Sequence, residues 1–277
     1  MTRLRLFALR FLLLGVVLIT ILAAACAAPG PSSSAVKGTS IDAIRARGVL
    51  RAGLRQDLPR FAYLEPRTNR WDGFEVALAR ELAAALLGDP HKLELVRVTD
   101  TQRVPFLRDG SVDVVVAQLK RDTSSEIEVS DPYFVSGIGF LAARARSDTS
   151  VSELMAGPLC VAKRSWPLET LRIAAPSAGT LLVDASTECL PALAAGHASA
   201  MVADLPTLVR LALEDLRFGI HPALLREEPL VVGMPKDQPD LRRAVDTTLR
   251  VLQDSGRWTM LHRQYFDRLL PPTPPPR

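Results

Sequence analysis

Cysteine and histidine are scarce in this chain, with three Cys and four His among 277 residues. The sequence holds no Cys-x-x-Cys pair and no Cys/His cluster, and the histidines (His91, His197, His221, His262) stand without ligand spacing. Structural and catalytic zinc sites are built from such closely spaced ligands. The sequence therefore predicts no metal site and no cofactor.

Sequence motifs of several enzyme classes are also missing. There is no Gly-x-Ser-x-Gly, no His-Glu-x-x-His and no P-loop. The stretch 137–142 matches a dinucleotide-binding pattern, but it leads into an extended segment where that motif needs a helix N-terminus. We therefore predict a protein that is not an enzyme.

A strong net charge is absent as well. The formal charge is +4 and the pI about 9.2, but Arg3, Arg5 and Arg10 all lie in one N-terminal segment that contains no acid. Without these three arginines the charge falls from +4 to +1. A nearly neutral domain has no electrostatic footprint for DNA or RNA, so no nucleic-acid partner is expected.

The N-terminus has the order of a secretory signal. Three arginines precede an apolar run over 11–22 and three alanines, and Cys26 follows. This order resembles a bacterial lipoprotein box, although Ala23 stands where that box usually has Leu. We predict a signal peptide over 1–25, lipid on Cys26, a flexible tether over 26–40 and an extracytoplasmic protein anchored to the cell membrane. The alternative is an uncleaved anchor helix.

Cys160 and Cys189 remain after Cys26 is assigned to lipid attachment. Disulfides persist in compartments outside the cytoplasm, so a Cys160–Cys189 disulfide is expected. Two buried free thiols are the alternative.

The rest of the chain alternates between strand and helix patterns. A capped helix over 40–47 stops at Gly48, and apolar residues recur every four positions from Phe74 to a stop at Gly88. Short apolar strands are predicted at 49–54, 93–98, 112–117, 158–162, 181–183 and 200–203, with helices between them. The last predicted helix covers 240–252, and residues 66–72 are turn-rich. This alternation predicts an α/β fold with mainly parallel sheets flanked by helices.

The predicted elements divide into two lobes. Extended stretches at 138–143 and 230–235 flank the second set of strands, so the chain is expected to cross into the second lobe and return. Lobe 1 is predicted to contain residues 41–142 and 230–277, and lobe 2 residues 143–229. The final residues, 271–276, form a proline-rich tail.

Six motifs appear in the order typical of one known family. They are Gly48–Gly53, Trp71–Ala79, Pro105–Asp113, Ser130–Phe134, Ala192–Asp204 and Gly256–Trp258. The chain from about Ile41 to Leu269 thus resembles the family-3 extracellular solute-binding proteins of polar amino-acid ABC transporters. The resemblance implies a type II periplasmic-binding-protein fold with a two-strand hinge. It also implies a monomer that carries an amino acid to a permease, or else a sensing lipoprotein that signals through a membrane partner. A few relatives of this fold, such as cyclohexadienyl dehydratases, are enzymes.

Two arginines suggest the ligand class. Arg103 lies two places before a proline, and Arg55 follows the first strand, as in the glutamate and aspartate binders of that family. A guanidinium is the natural partner for a buried side-chain carboxylate. The resemblance therefore implies an acidic amino acid, glutamate or aspartate. Ordinary surface arginines are the alternative.

Other ligand-binding residues are implied by the same resemblance. Asp204 stands where the family holds the ligand's α-amino group, although it is equally suited to cap the next helix. Ser165 is the hydroxyl that matches the family's carboxylate-binding turn. Phe61, Tyr63 and Phe74 are candidates to cover the ligand's aliphatic part, with a core role as the alternative for Phe74.

The clearest departure from the family follows Ala117. Members usually continue with a Thr and then an arginine that binds the α-carboxylate, whereas the loop over 118–125 is about two residues shorter here. Arg121 is the candidate for that role. If the shortened loop does not bring Arg121 to the position of the family's arginine, we expect ligand affinity to be altered or lost.

Overall fold

The structure, a computed structural model, describes residues 40–146, 149–270 and 276. The predicted signal peptide over 1–25, Cys26 and the tether up to residue 39 lie outside the described residues, as do residues 271–275 of the tail. No helix within the described ranges is both long enough and apolar enough to cross a bilayer.

Strands and helices alternate along the described part of the chain. The strands are β1 (Leu50–Leu54), β2 (Asp57–Leu58), β3 (Ala62–Glu65), β4 (Arg70–Asp72), β5 (Leu93–Arg97), β6 (Val114–Val115), β7 (Ile127–Ala143), β8 (Leu159–Ala162), β9 (Thr180–Val183), β10 (Ala200–Asp204) and β11 (Phe218–Pro235). The helices are α1 (Ile41–Arg47), α2 (Phe74–Leu87), α3 (Arg103–Arg108), α4 (Val151–Met155), α5 (Trp166–Ala174), α6 (Cys189–Ala194), α7 (Leu205–Glu214), α8 (Pro239–Asp254) and α9 (Arg257–Phe266).

Eight of these strands form one curled sheet in the order β5-β1-β6-β11-β7-β10-β8-β9. Strand β1 runs parallel to β5 and β6 in the first lobe, and β8 runs parallel to β9 and β10 in the second. The long strands β7 and β11 pair antiparallel between these two sets. The predicted α/β fold, with two lobes joined by two crossing strands, is confirmed. The predicted lobe boundaries remain a prediction.

Local signals place the first helix and strand. The Ser40 hydroxyl accepts a hydrogen bond from the Ala43 backbone N–H, which satisfies one of the unpaired donors at the start of α1. Gly48 ends the helix with φ of 75°, a left-handed conformation that glycine adopts without a Cβ clash. Strand β1 begins two residues later, so Arg55 follows directly at its C-terminal end.

The structure contains elements that the sequence did not predict. Residues 66–72, predicted as turn-rich, include strand β4, which pairs with β3 in a small separate sheet. A further helix, α9, follows the predicted last helix. Trp258, Leu261 and Tyr265 are buried on one face of α9, at a spacing that already indicates an amphipathic helix.

Cys160 and Cys189 form the predicted disulfide. Their Cα atoms lie 5.7 Å apart, and both residues are fully buried. The bond joins β8 to the first residue of α6, so it ties a central strand of the second lobe to a helix that covers it.

Candidate functional site

The cleft between the lobes contains a cavity of about 570 Å³. It is lined by residues at or just after the C-terminal ends of β1 and β10, by residues at the starts of α3 and α5, and by residues in the middle of β7 and β11. Ligands of open α/β sheets bind at the carboxyl ends of parallel strands. The position and the two-lobed lining make this cavity of the cleft the candidate ligand site.

Four of the eight ligand-binding residues suggested by the sequence line the cleft. Arg55 and Arg103 belong to the first lobe, and Ser165 and Asp204 to the second. The fold therefore brings together side chains that are up to 149 positions apart along the chain.

Phe61 and Phe74 are placed differently from the sequence prediction. Both are fully buried in the core of the first lobe, and neither lines the cleft. Each packs edge-on against Phe134, with ring centroids 5.4 and 5.5 Å apart. Aromatic rings contribute large buried areas to cores, and this packing leaves neither ring to cover a ligand. For Phe74, the core alternative is the correct one.

Tyr63 and Arg121 also lie away from the cleft lining. Tyr63 is half-buried on β3, where it pairs with Asp57 and Asp72 across the small sheet. Arg121 is exposed in the shortened loop. The cleft side of that loop instead presents Gln118 and Lys120.

Arg55 is held by two carboxylates. Its Nε and Nη2 donate to the two oxygens of Asp57 at 2.8 and 2.7 Å, and its Nη1 donates to Asp100 Oδ1 at 2.5 Å. Such bidentate pairs fix the plane of the guanidinium. The side-chain hydrogen bonding between Arg55 and Asp57 raises the pKa of Arg55 and lowers the pKa of Asp57, so both groups remain charged.

Arg103 shares one of these carboxylates. Its Nη2 donates to Asp100 Oδ1 at 2.6 Å, while its Nε is buried and has no hydrogen-bond partner among the described residues. Burial lowers the pKa of Arg103, and the charge of Asp100 acts in the opposite direction. A buried guanidinium with an unused donor is costly unless a further acceptor reaches it.

Asp204 caps a helix and also lines the cleft. Its Oδ1 accepts from the Thr207 backbone N–H at 3.0 Å and its Oδ2 from the Thr207 hydroxyl at 2.9 Å, so it caps α7. The same carboxylate lines the cleft and is only half-buried. Two hydrogen bonds fix its orientation, while each oxygen can still accept from a ligand.

Ser165 caps α5 in the same manner. Its hydroxyl accepts from the Leu168 backbone N–H at 3.3 Å and donates to the Ala162 carbonyl at 2.6 Å. The only hydroxyl proton is therefore committed to the turn. Any contact of Ser165 with a ligand would use the remaining lone pair of its oxygen.

A contact that the sequence did not reveal crosses the cleft. The Nζ of Lys120, in the loop after β6, lies 3.8 Å from the ring centroid of Trp166 at the start of α5. The same ammonium is 2.8 Å from Glu228 Oε2 on β11. The cation–π contact and the ion pair join the two lobes and one crossing strand.

A buried polar network supports the same loop. Glu75 on α2 is fully buried, and its Oε1 accepts from the Tyr133 hydroxyl at 2.5 Å and from the backbone and side-chain nitrogens of Gln118 at 3.1 and 2.7 Å. Burial raises the pKa of Glu75. Gln118 has φ of 53°, and its bonds to Glu75 hold it in that uncommon conformation at the cleft wall. The sequence signal for this network is Glu75 itself, an acid among the apolar residues at the start of α2.

Comparison with known proteins identifies the class to which this arrangement belongs. Residues 50–268 match the bacterial extracellular solute-binding proteins, family 3. The match covers most of the chain, so the protein belongs to this family, and the resemblance noted from the motifs is confirmed.

Individual relatives are moderately similar. The glutamine-binding protein of Geobacillus stearothermophilus is 29% identical over 221 residues, covering 78% of this chain and 84% of that protein. The ABC transporter glutamine-binding protein GlnH of Bacillus subtilis (strain 168) is 27% identical over 252 residues, covering 89% and 92%. Among solved structures, an ancestral cationic amino acid solute-binding protein superposes with a TM-score of 0.67 at 25% identity, covering 82% of this chain and 99% of that one.

Proposed function

We propose that this protein captures one α-amino acid with a carboxylate or carboxamide side chain in the cleft and delivers it to an ABC permease. One observation carries the proposal: Asp204 and the pair of Arg55 and Arg103 line a single cavity from opposite lobes. A carboxylate suits the ligand's ammonium group, and guanidinium groups suit side-chain oxygens. The names of the two glutamine-binding relatives support the same ligand class.

The proposed mechanism is closure of the lobes around the ligand. A ligand that contacts both lobes binds the closed form better and shifts the population toward it. Gly137 lies on crossing strand β7 at the cleft, with φ of 154°, and a Cβ there would lie 2.0 Å from the Arg226 carbonyl oxygen on β11. We propose that the strands bend near this close approach. The family is one of binding proteins, and we propose binding without catalysis by a monomer.

The acidic ligand expected from the sequence remains one of two candidates. That expectation took a ligand carboxylate as the partner of the two guanidinium groups. Asp57 and Asp100 already provide counter-charges for Arg55 and Arg103. The charges of the cleft therefore admit a carboxamide side chain as well as a carboxylate.

Calorimetric titration of residues 40–277 with a panel of amino acids tests the proposed function. We expect glutamate, aspartate, glutamine or asparagine to bind more tightly than arginine, cysteine and alanine, because among these seven amino acids only the first four carry side-chain oxygens for the arginine pair. The Trp166 fluorescence of the cleft gives a second signal. A protein that binds none of these amino acids would contradict the proposal.

We further propose that lipid on Cys26 anchors the protein outside the cytoplasm. The basis is the sequence order of basic residues, an apolar run, three alanines and a cysteine. Cys26→Ser should release the protein from the membrane fraction or block its processing, as followed by cell fractionation and mass spectrometry of the N-terminus. Full membrane retention of the variant with residues 1–25 intact would instead favour an uncleaved anchor helix.

A further inference from the structure

We propose that Asp100 is a specificity-determining residue, an internal carboxylate that competes with acidic ligands and makes the cleft select a carboxamide side chain over a carboxylate. This inference rests on the proposed binding of an amino acid in the cleft. It assigns the choice between the two ligand candidates to one residue of the first lobe.

The arginine pair converges on one oxygen of Asp100. Arg55 Nη1 lies 2.5 Å and Arg103 Nη2 2.6 Å from Asp100 Oδ1. The other two side-chain hydrogen bonds of Arg55 go to Asp57. Two guanidinium groups thus face two carboxylates, and this end of the cleft has no excess positive charge to offer an acidic side chain.

Burial shows which partner lies nearer to the solvent. The Asp100 side chain is 65% exposed, whereas those of Arg55 and Arg103 are 21% and 10% exposed. Asp100 is therefore the more solvent-exposed member of each pair. A ligand carboxylate has to displace Asp100 to reach them, or lie beside a like charge, and either costs binding free energy.

A carboxamide matches the same surface without displacing anything. Both arginine bonds end on Asp100 Oδ1, so Oδ2 can accept from the ligand's amide N–H. The amide oxygen can accept from an arginine N–H. A carboxylate has no hydrogen to donate and would set acceptor against acceptor at Asp100.

The position of Asp100 is fixed by the turn that carries it. The Thr99 backbone N–H donates to the Gln102 side-chain oxygen at 3.0 Å, and the Gln102 backbone N–H donates to the Thr99 carbonyl at 3.0 Å. Asp100 and Arg103 are three residues apart on this turn into α3. The carboxylate is thus part of a formed turn that leads into the wall of the cleft.

The test compares glutamate and glutamine affinity in the wild type and in Asp100→Asn. The substitution keeps an oxygen for the two arginines and removes the charge. We expect the wild type to prefer glutamine, and Asp100→Asn to bind glutamate about 10-fold or more tightly while glutamine changes by less than about 3-fold. Asp109→Asn is the matched control, because Asp109 is an exposed acid of the same lobe away from the cleft; it should leave both affinities unchanged.

Each outcome decides the inference. A wild type that prefers glutamate, or an Asp100→Asn protein with an unchanged ratio of the two affinities, would overturn the role of Asp100 and leave the proposed function intact. Binding of neither amino acid to either protein would overturn the proposed function and the inference together. Asp100→Ala, measured in parallel with its thermal unfolding, provides a second charge-removing variant should Asp100→Asn unfold.

Discussion

Removal of the Cys160–Cys189 disulfide is expected to lower the free energy of unfolding by about 3–4 kcal/mol. The bond closes a loop with a sequence separation of 29, and cross-linking a loop of this length restricts the unfolded chain by that amount in the chain-entropy model. A loss of this size is a large fraction of the stability of an ordinary domain. Chemical unfolding of the Cys160→Ala/Cys189→Ala protein, followed by circular dichroism, measures it.

A second comparison separates the cross-link from the change of side chain. Both sulfurs are fully buried, so the alanine variant also loses packing. The wild type unfolded in the presence of a reductant lacks only the bond. We expect the reduced wild type to account for most of the lost stability. Equal unfolding free energies with and without reductant would contradict a stabilising disulfide.

Asp204→Ala is expected to weaken binding of every amino acid by about 100-fold or more. In the proposed complex Asp204 binds the α-ammonium group, which all amino acids share, and removing one member of a desolvated charge pair costs about 2–5 kcal/mol. The loss should be similar for glutamine and glutamate, unlike the selective effect expected at Asp100. Calorimetric titration of both ligands measures it.

The role of Asp204 as a helix cap requires a matched variant. Asp204→Ala also removes the acceptor for the Thr207 backbone N–H, which should cost about 1 kcal/mol of stability. Asp204→Asn keeps that acceptor and removes only the charge. We therefore expect Asp204→Asn to lose binding to a similar degree while its thermal unfolding stays close to that of the wild type. An Asp204→Asn protein that binds amino acids normally would contradict the ammonium contact.

The shortened loop shows how a departure from a family pattern is resolved in three dimensions. The sequence suggested Arg121 as the cation for the ligand's α-carboxylate, but Arg121 is exposed and lies away from the cleft lining. Lys120, one residue earlier, is the basic residue that the loop presents to the cleft, where it contacts Trp166 and Glu228. Neighbouring residues of an irregular loop point in directions that no periodic rule predicts, because the loop lacks the fixed geometry of a helix or strand.

The sequence by itself determined the class of this protein and much of its local structure. The order of short motifs indicated the family, and the residues from Ser40 to Gly48 carried a complete set of helix-capping signals. With Cys26 assigned to lipid attachment, two cysteines in a chain predicted to be exported were enough to predict the Cys160–Cys189 pair. These features depend on neighbours along the chain or on composition, so they can be read without coordinates.

The tertiary structure alone decided what surrounds each candidate side chain. Phe61 and Phe74 are apolar enough for either a core or a ligand pocket, and only the packing around Phe134 assigns them to the core. Asp100 meets Arg55 across 45 positions of sequence, a separation that no helical or strand period spans. The charge that a ligand encounters is a sum over such distant partners. Sequence shows which charges exist, whereas the fold decides which of them already neutralise one another.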